Sequence, residues 1–196
     1  MDPSTTLLVS VEGKRYPFSM KGWEKMDSKT PSGSLYCPQK KTAYAVVKKA
    51  VAAAIECGKK IIVIDDSQFL MSNEFFHRAY EKGYDKFTAM GCNFHDLIEW
   101  ARTLPDDVTV YFLHHNEFEN ERMKVKTVGK MLDSQTNIPG KFTICLLASK
   151  IEDKYKFSAS VDGQALIKAP PGMFEIDPMD NDLAAVDKSI REFWGI

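Results

Sequence analysis

The pattern of apolar and polar positions is clearest at 61–66, IIVIDD, where four branched apolar residues run straight into Asp65 and Asp66. A near-continuous apolar run of this length predicts a strand covered on both faces of a sheet. TTLLVSVEGK (5–14), which stops at Gly13, and DVTVYFLHH (107–115) predict two more buried strands, and KFTICLLAS (141–149) a further one. Apolar residues at helical spacing predict a helix over 40–60, ended by Gly58, and helices from about Phe69 to Glu81 and about Asp85 to Arg102. DNDLAAVDKSIREFW (180–194) predicts a terminal amphipathic helix capped by Asp180 or Asn181. KYKFSAS (154–160) alternates like an edge strand after a turn at Glu152–Asp153. Two stretches break the pattern. Residues 15–39, rich in Pro, Gly, Ser and Lys, predict a long irregular connection, and 116–140 reads as a charged loop. Strand and helix in alternation predict an α/β fold with a mostly parallel sheet, in one domain spanning 1–196.

Composition changes little in this picture. Hydrophobic residues at 44% and charged residues at 27% are ordinary for a globular domain with a real core. A net charge of −1 excludes a global field that would draw the chain to nucleic acid or membranes, though local basic patches are still allowed. No apolar run suits a membrane span, and MDPSTTLL lacks a basic leader. The four cysteines, Cys37, Cys57, Cys92 and Cys145, form no C-x-x-C pair. They read as reduced thiols of an intracellular protein, which places it in the cytoplasm.

Ligands of parallel sheets sit beyond the carboxyl ends of the strands. There the buried strands carry Glu12; Asp65, Asp66, Ser67 and Gln68; and His114, His115, Asn116 and Glu117. These are the residue types a nucleoside triphosphatase needs: a carboxylate for magnesium, an acid to orient water, and a polar sensor of the terminal phosphate. Other readings of the same residues stay open. Asp-Asp after a strand also caps the following helix, and a glutamate at a strand end is often plain surface. His114 and His115 are adjacent in an extended run, so they face opposite sides and do not share one metal. Cys92 and His95 lie three apart on a helical stripe and fit core packing. No H-E-x-x-H or cysteine–histidine zinc spacing occurs. Lys124, Lys126 and Lys130 suit phosphate or single-stranded DNA, and suit a solvated loop equally.

VSVEGK…PF…KGW, IIVIDDSQFLMSNEF, EKGYDKFT, FLHHNE, KTVGKML and APPGMF follow one another in the order found in RecA-like P-loop ATPases of phages. The chain resembles these core-only recombinases, which are linked to single-strand annealing, from Thr5 to the C-terminal helix. The resemblance implies a RecA-like three-layer fold with Mg-ATP as cofactor. It implies that Asp65, with Asp66 beside it, matches the Walker B metal site. Glu12 looks like the catalytic glutamate, and His115 like the polar sensor. Lys168, in LIKAPPGMF, resembles a basic residue that reaches a neighbour's phosphates across a subunit boundary.

The chain departs from that family at one block. Members start with a strand, then G-x-x-x-x-G-K-S/T, then a helix. No such loop occurs in these 196 residues, and the first strand, loop and first helix are expected to be missing together. The loop's backbone amides and lysine supply most of the triphosphate affinity. The strands at 108–113 and 142–148 are expected to close up and pair directly, or to receive a strand from another chain, because unpaired buried backbone is costly. Three functions follow. One is a degenerate RecA-like protein that binds a phage or host protein partner in DNA recombination, with little or no ATP hydrolysis. Another is an authentic Mg-ATP-dependent annealing recombinase, assembled as a homo-oligomer, whose loop lies outside this sequence. The third is a non-hydrolysing single-stranded DNA-binding module. All three place the chain in the bacterial host cell, with no membrane partner.

Overall fold

The structure is a computed structural model. It describes residues 1–38, 43–119, 122–128, 132, 136–160 and 166–196. They divide into two units, Met1–His115 with Lys126–Gln135, and Asn116–Val125 with Thr136–Ile196.

The first unit is built on a parallel sheet. Its strands are β1 (Thr6–Ser10), β2 (Leu35–Tyr36), β3 (Ile61–Asp65) and β4 (Thr109–Phe112), in the order β2-β1-β3-β4. Every pairing is parallel, and the register sets Ser10 opposite Asp65 and Ile64 opposite Phe112. The apolar runs explain the two inner strands. Leu7, Val9, Ile62 and Ile64 are fully or almost fully buried. They pack with Val47, Val51 and Ala54 of α1 (Ala43–Glu56), Leu70 of α2 (Phe69–His77) and Leu97 of α3 (Asp85–Ala101). Each of these valines, leucines and isoleucines contributes roughly 1.5–3 kcal/mol on burial. The α/β architecture with a mostly parallel sheet flanked by helices is therefore present.

Local chemistry fixes the helix ends. Gly58 takes φ 87, its amide donates to the Ile55 carbonyl, and the Lys59 amide donates to the Ala54 carbonyl. That double reach-back is the Schellman ending of α1, and the left-handed residue suits glycine. α2 stops at His77, short of the predicted Glu81. Lys86, buried at the start of α3, explains the early stop: its Nζ donates to the carbonyls of Arg78, Ala79 and Glu81 at 3.3, 3.1 and 2.7 Å. A lysine there bonds the carbonyls of the turn that follows α2 and complements the helix dipole.

The second unit holds two antiparallel sheets and a helix. The stretch read as a charged loop contains the hairpin of β5 (Asn116–Glu119) and β6 (Arg122–Val125). The other sheet has β7 (Leu147–Ile151), β8 (Lys154–Ser158) and β9 (Met179–Asp180) in that order. Glu152 and Asp153 join β7 to β8 with φ 47 and 64. Two successive positive φ values make the tight turn that suits the twist of a two-residue hairpin. β8 is the central strand of this sheet and not an edge, because β9 pairs with it through Lys156–Asp180 and Phe157–Met179. The strand expected at 141–149 begins only at Leu147. Ile138–Lys141 forms a 3-10 turn around Pro139, which has no amide to give a ladder. The helix α4 (Leu183–Trp194) is capped by Asp182 in place of Asp180 or Asn181, with Oδ1 accepting from the amides of Ala184 and Ala185 at 2.8 and 3.4 Å.

The described residues form no ladder between β4 and 142–148. β4 lies beside β3, whereas Leu147 and Ala148 pair with Ser158 and Phe157. Cys145 exchanges backbone hydrogen bonds with Lys168. The backbone of that stretch is thus engaged locally within the second unit. Among the described residues no helix is long and apolar enough to cross a membrane.

Candidate functional site

The strand order creates a switch point. From β1 the chain moves outward to β2, and from β3 it moves the other way to β4. Beyond the carboxyl ends of such a strand pair the connections diverge and leave a crevice. Glu12 follows β1 there, Asp65 ends β3 and Asp66 follows it, so the structure brings these predicted residues to one edge.

Asp66 is the most constrained of them. Its φ is 58, a left-handed value that costs most residues but is tolerated by aspartate. It is 7% exposed. Its carboxylate is held from within the chain: Lys14 Nζ lies 2.5 Å from Oδ2, and His115 Nε2 lies 3.3 Å from Oδ1. Asp65 accepts a hydrogen bond from the Tyr16 hydroxyl at Oδ2, 2.8 Å away. Glu12 Oε1 accepts from Asn73 Nδ2 of α2 at 2.8 Å. Lys14 is held in its charged form first by Asp66 and then by the fields of Asp65 and Glu12. Burial pushes the Tyr16 hydroxyl well above its ordinary value, and its bond to Asp65 adds to the shift. Tyr16 therefore stays a neutral donor.

The two histidines do face different surroundings. His115 is exposed, edge-on to Phe69 at 6.1 Å between ring centres, and reaches Asp66. His114 is half-buried against Phe94 at 5.6 Å. Its Nε2 is 2.7 Å from the Lys126 carbonyl and its Nδ1 is 2.9 Å from Ser67 Oγ. A carbonyl only accepts, so Nε2 carries the hydrogen, and in the neutral ring Nδ1 accepts from the Ser67 hydroxyl. Burial, the largest cause, lowers the His114 pKa, and His115 adds to it. Ser67 is wholly buried, so in this arrangement it ties β3 to the end of β4 and does not meet a substrate.

The remaining predicted residues lie apart from this edge in role. Lys124 of β6 is neutralised by Glu117 and Glu119 at 3.2 and 2.7 Å, a reason against its acting as a phosphate contact in this arrangement. Lys126 is exposed, and its backbone clamps the hairpin root by donating to the His115 carbonyl. Lys168 belongs to the second unit and is half-buried. Lys130 lies outside the described residues. Sequence reading missed Lys14 and Tyr16. The one available signal was their alternate spacing just after Gly13, which has φ 64.

Magnesium favours carboxylate and water oxygens. Asp65 and Asp66 supply such donors, but Asp66 would have to exchange Lys14 and His115 for the metal. Among the described residues, no three His, Cys, Asp or Glu side chains are grouped closely enough to hold a metal ion. Comparison with family models, with curated proteins and with solved structures finds no match for this chain.

Proposed function

We propose that this chain is a degenerate RecA-like nucleotide-site protein of phage origin. It keeps the parallel scaffold and acts in DNA recombination inside the host cell by binding a protein partner, with little or no ATP hydrolysis. One observation carries the reading. The acids at the carboxyl edge are held by Lys14, His115 and Tyr16 of the same chain. A hydrolytic site would present those carboxylates to a metal and to water. The sequence adds that no phosphate-cradling loop occurs in these residues.

The position of Asp65 and Asp66 at the switch point favours a second reading, an Mg-ATP-dependent annealing recombinase that completes its cradle elsewhere. Steady-state phosphate release, with Mg-ATP and single-stranded DNA present, separates the two. The first reading expects no release above that of Asp65→Ala. Release that depends on Asp65 contradicts it and supports the second.

A further inference from the structure

The segment that follows β1 lies across the acids of the carboxyl edge. It turns at Gly13, where φ is 64 and nothing lies within 4 Å of a built Cβ. Lys14 then reaches Asp66 and Tyr16 reaches Asp65, so alternate residues of one short stretch meet the two consecutive acids that end β3. Arg15 between them is exposed. The contact continues sideways: Lys14 Nζ lies 5.8 Å from the centre of the Phe69 ring, and the rings of Tyr16 and Phe18 are 5.1 Å apart. The Tyr16 hydroxyl also meets the Ser10 side chain at the end of β1. Residues 13–15, 17 and 18 are exposed, and residues 13–16 belong to no strand or helix.

From this geometry we infer that residues 13–18 are a strap, closed over the edge by two polar pins, Lys14–Asp66 and Tyr16–Asp65. The inference rests on the nucleotide-site reading of the edge and adds how that site is regulated. A divalent cation competes with Lys14 for Asp66, and a phosphate competes with Asp66 for Lys14. A metal-bound nucleoside diphosphate or triphosphate brings both competitors at once, so it is the ligand class that opens the strap. With the strap closed, Lys14 neutralises Asp66 and the Tyr16 hydroxyl occupies Asp65. Segments held by a few exposed contacts open at low free-energy cost, which suits a gate.

Trypsin digestion of the full chain reads the strap at the bond after Arg15. The rate is normalised to the same bond in a free peptide of each sequence. Tyr16→Phe removes one hydroxyl and leaves the ring, and Lys14→Met removes the other pin. Tyr16→Phe is expected to speed cleavage about tenfold, the effect of losing one hydrogen bond to a charged group, and Lys14→Met about fivefold at most, as suits a solvent-screened pair, with the unfolding free energy falling by no more than the equivalent of each factor. Equal rates in wild type and both variants overturn the strap, as does a wild-type chain cut as fast as the free peptide. Calorimetric titration of Mg-ADP into Tyr16→Phe, which keeps Lys14 for the phosphate, then tests the underlying reading separately. Binding that is tighter than to wild type supports both. Faster cleavage with no binding supports the strap and contradicts the nucleotide-site reading.

Discussion

Lys14 Nζ sits 2.5 Å from Asp66 Oδ2, an exposed ammonium on a buried carboxylate that itself occupies a left-handed backbone position. The pair joins the turn after β1 to the end of β3, across the switch point of the sheet. It makes Asp66 a residue with two separable roles, one in its charge and one in its backbone.

The charge role is modest in energy. Lys14 is largely exposed, and water screens such pairs, so Lys14→Met should lower stability by at most about 1 kcal/mol. The loss should shrink as salt rises. Urea midpoints at low and high salt check this. A larger and salt-independent loss would contradict it.

The backbone role should cost more. Asp66→Asn keeps a residue that tolerates φ near 58, whereas Asp66→Val does not. The valine variant should be less stable than the asparagine variant by roughly 1–2 kcal/mol, the strain of a left-handed branched residue. Chemical denaturation of the two variants side by side gives the difference. Equal midpoints would mean that the backbone relaxes.

His114 sets a pH dependence. Its pKa in the folded chain is lowered from 6.5, chiefly by burial. Between the folded value and 6.5 the unfolded chain binds more protons, so stability rises with pH across that window. The favourable contribution is full above 6.5 and is lost as the pH falls through the folded value. His114→Asn should flatten the slope of the unfolding free energy in this range. Nitrogen chemical shifts of His114 should also report hydrogen on Nε2. A slope unchanged by the substitution would sink this assignment.

Lys86→Met should destabilise α2 at its C-terminus. The Nζ serves three carbonyls, those of Arg78, Ala79 and Glu81. Ala79 and Glu81 are exposed and the Arg78 carbonyl keeps the Glu81 amide, so water and backbone take over part of the loss and the cost should be about 1 kcal/mol. Amide exchange should speed up first in the last turn of α2, around Glu74 to Arg78. Uniform exchange across the unit would instead mean that the lysine supports the whole core.

Much of the parallel sheet could be read from the chain because burial on two faces leaves an unmixed apolar run, as at Ile61–Ile64. The acids of the edge were readable for the same reason, since they end those runs. Their partners were not. Lys14 and Tyr16 lie in an irregular stretch, and nothing in their local pattern records that the chain folds back onto β3. The strands Asn116–Glu119 and Arg122–Val125 do alternate, with Phe118, Met123 and Val125 between charged residues, but each run is only four residues long and Phe118 is exposed, so the burial signal is weak. β8 was read as an edge because its partner β9 is two residues long and 21 residues beyond its end, as the ranges Lys154–Ser158 and Met179–Asp180 show. The expected pairing of 108–113 with 142–148 came from the resemblance and not from a local pattern. The local engagement of Cys145 with Lys168 and of Leu147 with Ser158 replaces it among the described residues.

Calorimetric titration of Mg-ATP into the full wild-type chain tests the central claim most directly. If Lys14, His115 and Tyr16 keep the acids of the edge engaged, no saturable binding tighter than about 1 mM should appear, equivalent to roughly 4 kcal/mol of binding free energy. Saturable micromolar binding that Asp65→Ala abolishes would contradict the account.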